Sequence, residues 1–310
     1  MNNKKLLFGL GAIILLLGGM LFWDSHATKR ENQEKKAQNL LFKIDTSKVE
    51  SIQIIQLKNS EPFSLLMAKH HDKWVIVAPI HAPADAQVID QVLYAMSQMK
   101  YDQEVASSKN AWPEYELDKP KLSVLLKDDK QSYNLLLGAK TQTGYGIYGG
   151  ILPGGQAYTL SYSAYEALDK SLFDFRHKHL TPIESSTLKE LTYRSPEPLT
   201  VKFQVNDGEF KITSPSKINV SQTKVLDFLS EVNALTANDI RENPPPDFIK
   251  KFQNSLAAYE LSWIAKDNKS GGVEFSVFDG AIWARENKNQ IYYKFDVESN
   301  QRKIRKSLED

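Results

Sequence analysis

Few residues in this chain have the type and spacing to do chemistry. Gly138-Ala139-Lys140-Thr141 ends like a phosphate loop, in which backbone N–H groups cradle phosphate and the lysine reaches its charge. The pattern fails upstream: Ala139, not glycine, precedes the lysine, and Asn134 stands where the first glycine is needed. A strand running into a turn explains the segment instead. His177 and His179 flank Lys178 and could share a metal from one strand. A metal site needs three or four ligands, and no further cluster is in view. His70-His71 falls in a polar, hairpin-like stretch and reads as exposed. With no cysteine, thiolate metal sites, a Cys nucleophile and disulfides are excluded. No H-E-x-x-H, G-x-S-x-G or EF-hand pattern occurs. The sequence therefore offers no catalytic residue, no metal ligand set and no cofactor.

Two further groups invite a functional reading. Asp85 precedes a periodic apolar run, so its carboxylate reads as a helix N-cap accepting from first-turn N–H groups, not as a catalytic acid. Gly144, Gly146, Gly149, Gly150, Gly154 and Gly155 interleave with Tyr145, Tyr148 and Tyr158. Tight turns account for such glycines and half-buried strands for the tyrosines. If one surface binds a ligand, the candidate loop is Gly144, Tyr145, Gly146, Tyr148, Gly149 and Gly150, because glycine-rich loops on a rigid sheet often carry binding.

The elements that must position these residues follow from periodicity. Val49 to Ile54, Phe63 to Met67 and Trp74 to Val77 alternate as strands. After Pro79 and Pro83, Val88, Ile89, Val92, Leu93, Met96 and Met99 form a helical stripe. Residues 112–120 read as a loop, and Leu122 to Leu126 with Tyr133 to Leu137 as a hairpin. A short helix spans Ser163 to Leu172. The second half repeats the order: strands at Leu188 to Tyr193, Leu199 to Val205 and Phe210 to Thr213. A helix follows from about Ser221 with the stripe Val225, Leu229, Val232 and Leu235. Beyond Pro244-Pro245-Pro246 come a short helix through Phe252 and strands at Leu261, Val273, Ala281 and Ile291. Trp74 aligns with Phe210 (210−74 = 136), Asp90 with Asp227 (227−90 = 137), and Leu122 with Leu261 (261−122 = 139). Offsets this steady point to an internal repeat. The fold class is α+β: β-rich, with two related strand–strand–helix–hairpin modules after one N-terminal transmembrane helix.

That helix is residues 6–23, LLFGLGAIILLLGGMLFW, without a charge. Eighteen helical residues rise about 27 Å, close to the ~30 Å hydrocarbon core. Lys4 and Lys5 precede the run and Trp23 ends it at the interface. A cleaved signal peptide competes, since Ser25-His26-Ala27 has the shape of a cleavage site, but its apolar stretch is normally only about 7–15 residues. The expected organisation is a cytoplasmic tail (1–5), an anchor (6–23), a polar stalk (24–42), a first module (43–183) and a second, divergent one (184–310). Lys and Arg total 39 against 38 Asp and Glu, a net charge of +1, which gives no field for nucleic acid.

Three blocks resemble one family. KWVIVAPIHAPADAQVIDQVLYAMSQM (73–99), YELDKPKLSVLLKD (115–128) and LLLGAKTQTGYGIYGG (135–150), closed by FDFRHKHL (173–180), are similar to the membrane-anchored domain of unknown function 4340 (DUF4340). The resemblance covers about residues 43–180. Glu116 departs from it, standing where the family usually has glycine before Leu-Asp, and the departure touches a turn. The resemblance implies a single-span protein facing the periplasm beside ABC-type transporter components of the gliding-motility auxiliary kind, and it brings no catalytic residues. The expected function is a membrane-anchored extracytoplasmic binding or scaffold subunit at the inner membrane, with a protein partner in an envelope transporter assembly. The alternatives are an envelope hydrolase acting on glycan or peptide, and a small-ligand sensor using the Gly/Tyr loop. With the N-terminus inside and the body outside, alkaline phosphatase fused after Asp310 is expected to be active. A fluorescent protein that needs the cytoplasm is expected to stay dark there; the opposite pattern reverses the orientation.

Overall fold

The structure, a computed structural model, describes residues 39–58, 61–195, 200–215, 220–255, 259–287 and 289–296. The expected anchor at 6–23 lies outside them. Among the described residues no helix is long and apolar enough to cross a membrane. The chain divides into two compact units at Arg176–His177. The break precedes the expected one after Ile183, because Leu180 and Ile183 are buried in the core of the second unit.

The first unit carries β1 (Ser51–Lys58), β2 (Glu61–His70), β3 (Lys73–Ala78), the two-residue β4 (Ala82–Pro83) and α1 (Ala86–Ser97). After these come β5 (Tyr101–Ala106), β6 (Leu122–Lys127), β7 (Ser132–Lys140), β8 (Gly146–Leu152), β9 (Ala157–Ser161), α2 (Tyr162–Leu168) and α3 (Leu172–Phe175). The second unit carries β10 (Leu188–Arg194), β11 (Thr200–Asn206), β12 (Glu209–Ser214), α4 (Gln222–Asn233) and β13 (Asp239–Glu242). It continues with α5 (Pro246–Asn254), β14 (Tyr259–Ala265), β15 (Ser270–Phe278), β16 (Ala281–Glu286) and β17 (Ile291–Phe295). The expected helix 163–172 is thus two short helices, and β5 and β13 went unread in the sequence.

Each unit holds one antiparallel sheet. With β4 set aside, the first runs β3-β2-β1-β6-β7-β8-β9-β5 and the second β12-β11-β10-β14-β15-β16-β17-β13. These are the same order, with each element replaced by its counterpart. The third strand has six residues in both units, and the following helix twelve. The hairpin before the third strand turns through two residues of positive φ in each, His71-Asp72 and Asp207-Gly208, as tight hairpins of this twist require.

One face of each sheet is closed by the twelve-residue helix. Such a helix is marginal alone, so tertiary burial must hold it. In α1, Ile89, Val92, Leu93 and Met96 are buried, each contributing about 2 kcal/mol. They meet Ile52, Ile54, Leu65, Ile76, Val124 and Leu135 from alternate strand positions. Asp85 starts the helix, accepting from the N–H of Gln87 at 3.0 Å and of Val88 at 3.4 Å. In α4 the buried set is Val225, Phe228, Leu229 and Val232, and Ser221 caps the helix by accepting from Lys224 N–H at 3.3 Å.

The other face is covered in part by short elements. In the first unit residues 112–120 do not form the expected plain loop: a 3-10 helix covers Lys109–Tyr115. It turns Trp112 inward, and the indole Nε1 donates to the Gly155 carbonyl at 2.9 Å. Gly138 lets that turn sit close, since a Cβ there would lie 2.1 Å from the Tyr115 carbonyl oxygen. Glu116 ends the turn at φ 56°, ψ 28°, in the left-handed region. A side chain there costs about 1–2 kcal/mol. Its ion pair with Lys121 (3.0 Å) is half-exposed and returns only about 0–1 kcal/mol. Glu116→Gly is therefore expected to raise unfolding stability by about 1 kcal/mol in chemical denaturation. Glu116→Ala, which removes the ion pair and keeps the strain, is expected to give no gain.

Candidate functional site: a charged row across the second sheet

The sequence-derived candidates are not brought together. Gly144 (φ 77°) and Tyr145, which is 87% exposed, form the turn between β7 and β8. Gly146, Tyr148, Gly149 and Gly150 are not in a loop at all: they lie inside β8, paired to β7 and β9. Their glycine character serves close packing. A Cβ on Gly149 would meet the Leu160 side chain at 2.5 Å, and one on Gly150 would meet Leu117 and Trp112 at 3.3 Å. Tyr148 lies against Tyr115, ring centroids 4.6 Å apart. The expected binding loop is thus corrected to one exposed turn and one interior strand.

The remaining candidates are also structural. Lys140 sits over the Tyr162 ring at 3.9 Å, and the Thr141 hydroxyl accepts from Gly146 N–H at 3.1 Å. His179 Nδ1 lies 3.0 Å from the Leu235 carbonyl oxygen. Among the described residues no group of three or more His, Asp or Glu is placed to hold a metal. Buried Gln56 donates from Nε2 to Asp169 at 2.6 Å and to the Lys170 carbonyl at 3.0 Å, tying β1 to the α2–α3 joint. Burial, then the Asp169 carboxylate, pushes the Tyr165 hydroxyl up to about 12.

The feature that stands out is a row of residues running straight across the second sheet. Register pairs Arg194 with Glu260, Glu260 with Glu274, Glu274 with Arg285, Arg285 with Tyr292, and Tyr292 with Arg241. All six share one face by alternation, the face covered by α5. Arg285 donates to Glu274 from Nε at 3.0 Å and again from Nη2, and from Nη1 to the Tyr292 hydroxyl at 3.2 Å. Its side chain is 11% exposed and that of Glu274 26%. Burial opposes the Arg285 charge, but the hydrogen bonds and attraction of Glu274 outweigh it and hold the guanidinium above its usual range. Arg194 Nη1 donates to Glu260 at 2.7 Å at the more open end. Arg241 lies over Trp283, 4.6 Å from the ring centroid.

Helix α5 positions this row. Phe248 and Phe252 form an aromatic cluster with Trp283 and Tyr292. Ser276 donates to the Phe252 carbonyl at 2.8 Å, tying the helix's last turn to β15. Beside that turn lies a cleft of about 270 Å³ lined by Phe252, Gln253, Glu260, Glu274, Arg285 and Arg194, among others.

The equivalent row in the first unit is Ile55, Ser123, Leu136, Gly150, Ala157 and Ala106. Ser123 and Glu260 are each second in their strand; Leu136 and Glu274, and Gly150 and Arg285, are each fifth. Trp112, Leu117, Leu136 and Ala157 form an apolar cluster there. One topology thus carries an uncharged, largely apolar row in one unit and a charged row in the other.

The profile of one family, described as a domain of unknown function (DUF4340), matches residues 74–259. The chain belongs to the DUF4340 family. The match runs well past the expected 180 and into the second unit, whose first strands and helix it takes in. Neither a curated protein nor a solved structure matches the chain. Glu116 and Gly138 fall inside the DUF4340 match, whereas Glu260, Glu274 and Arg285 lie beyond its end.

Sequence reasoning missed the row because its members are scattered over six strands. The available signal was local: Glu274 stands between Val273 and Phe275, and Arg285 follows Trp283-Ala284, so each charge sits beside buried apolar residues of its strand. Breaking one partner of such a pair costs more than replacing both. Glu274→Leu is expected to destabilise by about 1–3 kcal/mol, less than a fully buried pair because the site is partly wet. Adding Arg285→Met should recover at least half of that loss in equilibrium unfolding; additive losses would show that the pair is not coupled.

Proposed function

We propose that this DUF4340 protein is a single-span, membrane-anchored extracytoplasmic binding or scaffold subunit, auxiliary to an ABC-type envelope transport system. Residues 6–23 are its anchor in the inner membrane and 24–38 its stalk; the expected stalk is shortened because Leu41 N–H donates to the Met99 carbonyl at 2.8 Å and Phe42 is buried in the core of the first unit. The two units arose by duplication of one module, a reading supported by their common strand order. The observation that carries a binding role is the charged row under the open end of α5. Each glutamate there already accepts from an arginine, and the cleft is a shaped, polar surface on a rigid sheet. Rigid elements with preset charges give specificity more than raw affinity, which suits an assembly subunit. Confinement by the anchor raises the local concentration of partners in the same membrane.

The test is co-purification of the tagged full chain from detergent-solubilised membranes. It is expected to recover a component of an ABC-type transporter. Deleting residues 1–23 is expected to move the protein out of the membrane fraction and lose that partner. Recovery of no transporter component from intact membranes would overturn the auxiliary role.

A further inference from the structure

We propose that the cleft beside α5 receives a single basic side chain, a lysine ammonium or an arginine guanidinium, from a protein partner; the proposal rests on the binding role given above. Glu260 and Glu274 stand directly opposite each other on β14 and β15. Like charges in that relation are destabilising. The first unit folds in the same topology with Ser123 and Leu136 at these places, so the fold itself does not require the carboxylates.

Each glutamate meets its arginine through Oε2: Glu260 through Arg194 Nη1, Glu274 through Arg285 Nε and Nη2. Neither Oε1 has a hydrogen-bond partner among the described residues, and both glutamates line the cleft. Two acceptor-only oxygens on adjacent strands call for a group carrying several N–H donors and positive charge. Phe252 also lines the cleft, where its ring already faces a cation, the Arg285 guanidinium at 5.4 Å from the centroid. A volume of about 270 Å³ suits one long side chain and not a folded element. The neighbouring guanidiniums keep the carboxylates in place: Arg285 is fixed by Glu274 and Tyr292, while Arg194, 59% exposed, can swing toward solvent as a cation enters.

The experiment is fluorescence anisotropy on the full chain in detergent. The probes are four labelled, end-blocked pentapeptides, Gly-Gly-X-Gly-Gly, with X as arginine, lysine, citrulline or glutamate. The arginine and lysine peptides are expected to bind saturably, and the citrulline and glutamate peptides at least tenfold more weakly. Glu260→Gln, at the wetter end and with its fold checked by thermal melting, is expected to weaken the basic peptides at least fivefold. Glu116→Gly, in the other unit, is expected to leave them unchanged. Equal binding of all four peptides, binding of none, or full binding by Glu260→Gln overturns the proposal. If co-purification still recovers a transporter component in that case, only the basic-side-chain inference fails. If it recovers none while the arginine peptide binds, the auxiliary role fails and the cleft's preference stands.

Discussion

A sheet of eight or nine strands has two faces, and wherever a face carries apolar side chains it must be covered for the strands to hold. That constraint shapes both units of this protein. On one face the solution is the same: a twelve-residue helix follows the third strand, starts on a capping Asp85 or Ser221, and lays four buried side chains across the sheet. Everything else about the two units can then differ, and it does so on the opposite face. There the covers are short, the 3-10 turn Lys109–Tyr115 in one unit and α5 in the other. A short cover leaves part of a sheet to be dealt with by its own side chains.

The two units deal with it in opposite ways. In the first, glycines bring the cover down onto the strands, and Trp112 and Leu117 fill the space above Gly150. In the second, Glu274 and Arg285 occupy the matching positions and satisfy each other instead of excluding water. Desolvating such a pair costs several kcal/mol per ion, and replacing it with apolar residues is often neutral or stabilising. The first unit is the built example of that replacement. Stability alone therefore does not account for the charges in the second unit, and they line the cleft beside the last turn of α5.

The helical stripes, the capping residues and the strand alternation were legible because each is a local pattern of period 3.6 or 2. The offset near 137 residues was legible for the same reason, because it compares short local patterns, but the structure matches Leu122 to Tyr259 and not to the expected Leu261, two residues on. The failures share a different cause. Gly146 to Gly150 look like a loop because glycine is common in turns, yet they are strand residues whose missing Cβ atoms admit Leu160, Leu117 and Trp112 from elsewhere in the chain. Residues 112–120 look like a loop because Pro113 breaks the pattern, yet a buried indole and its bond to Gly155 organise them. The row from Arg194 to Arg241 depends on the register of five strand pairings, and register between strands far apart in sequence is not written in any one of them.

Glu116 shows how local and non-local information combine. A left-handed residue must end the turn over Gly138, because the carbonyl of Tyr115 approaches the strand too closely for a Cβ to intervene. The resemblance pointed to glycine at that place, and the backbone angles supply the reason. The chain tolerates a glutamate there because the strain is confined to one residue on the surface and partly offset by Lys121. In the interior of β8 no such tolerance exists. A side chain on Gly149 would have to displace a buried leucine, with no solvent to move into. The same residue type is thus optional where the constraint is one dihedral angle and obligatory where the constraint is packed volume.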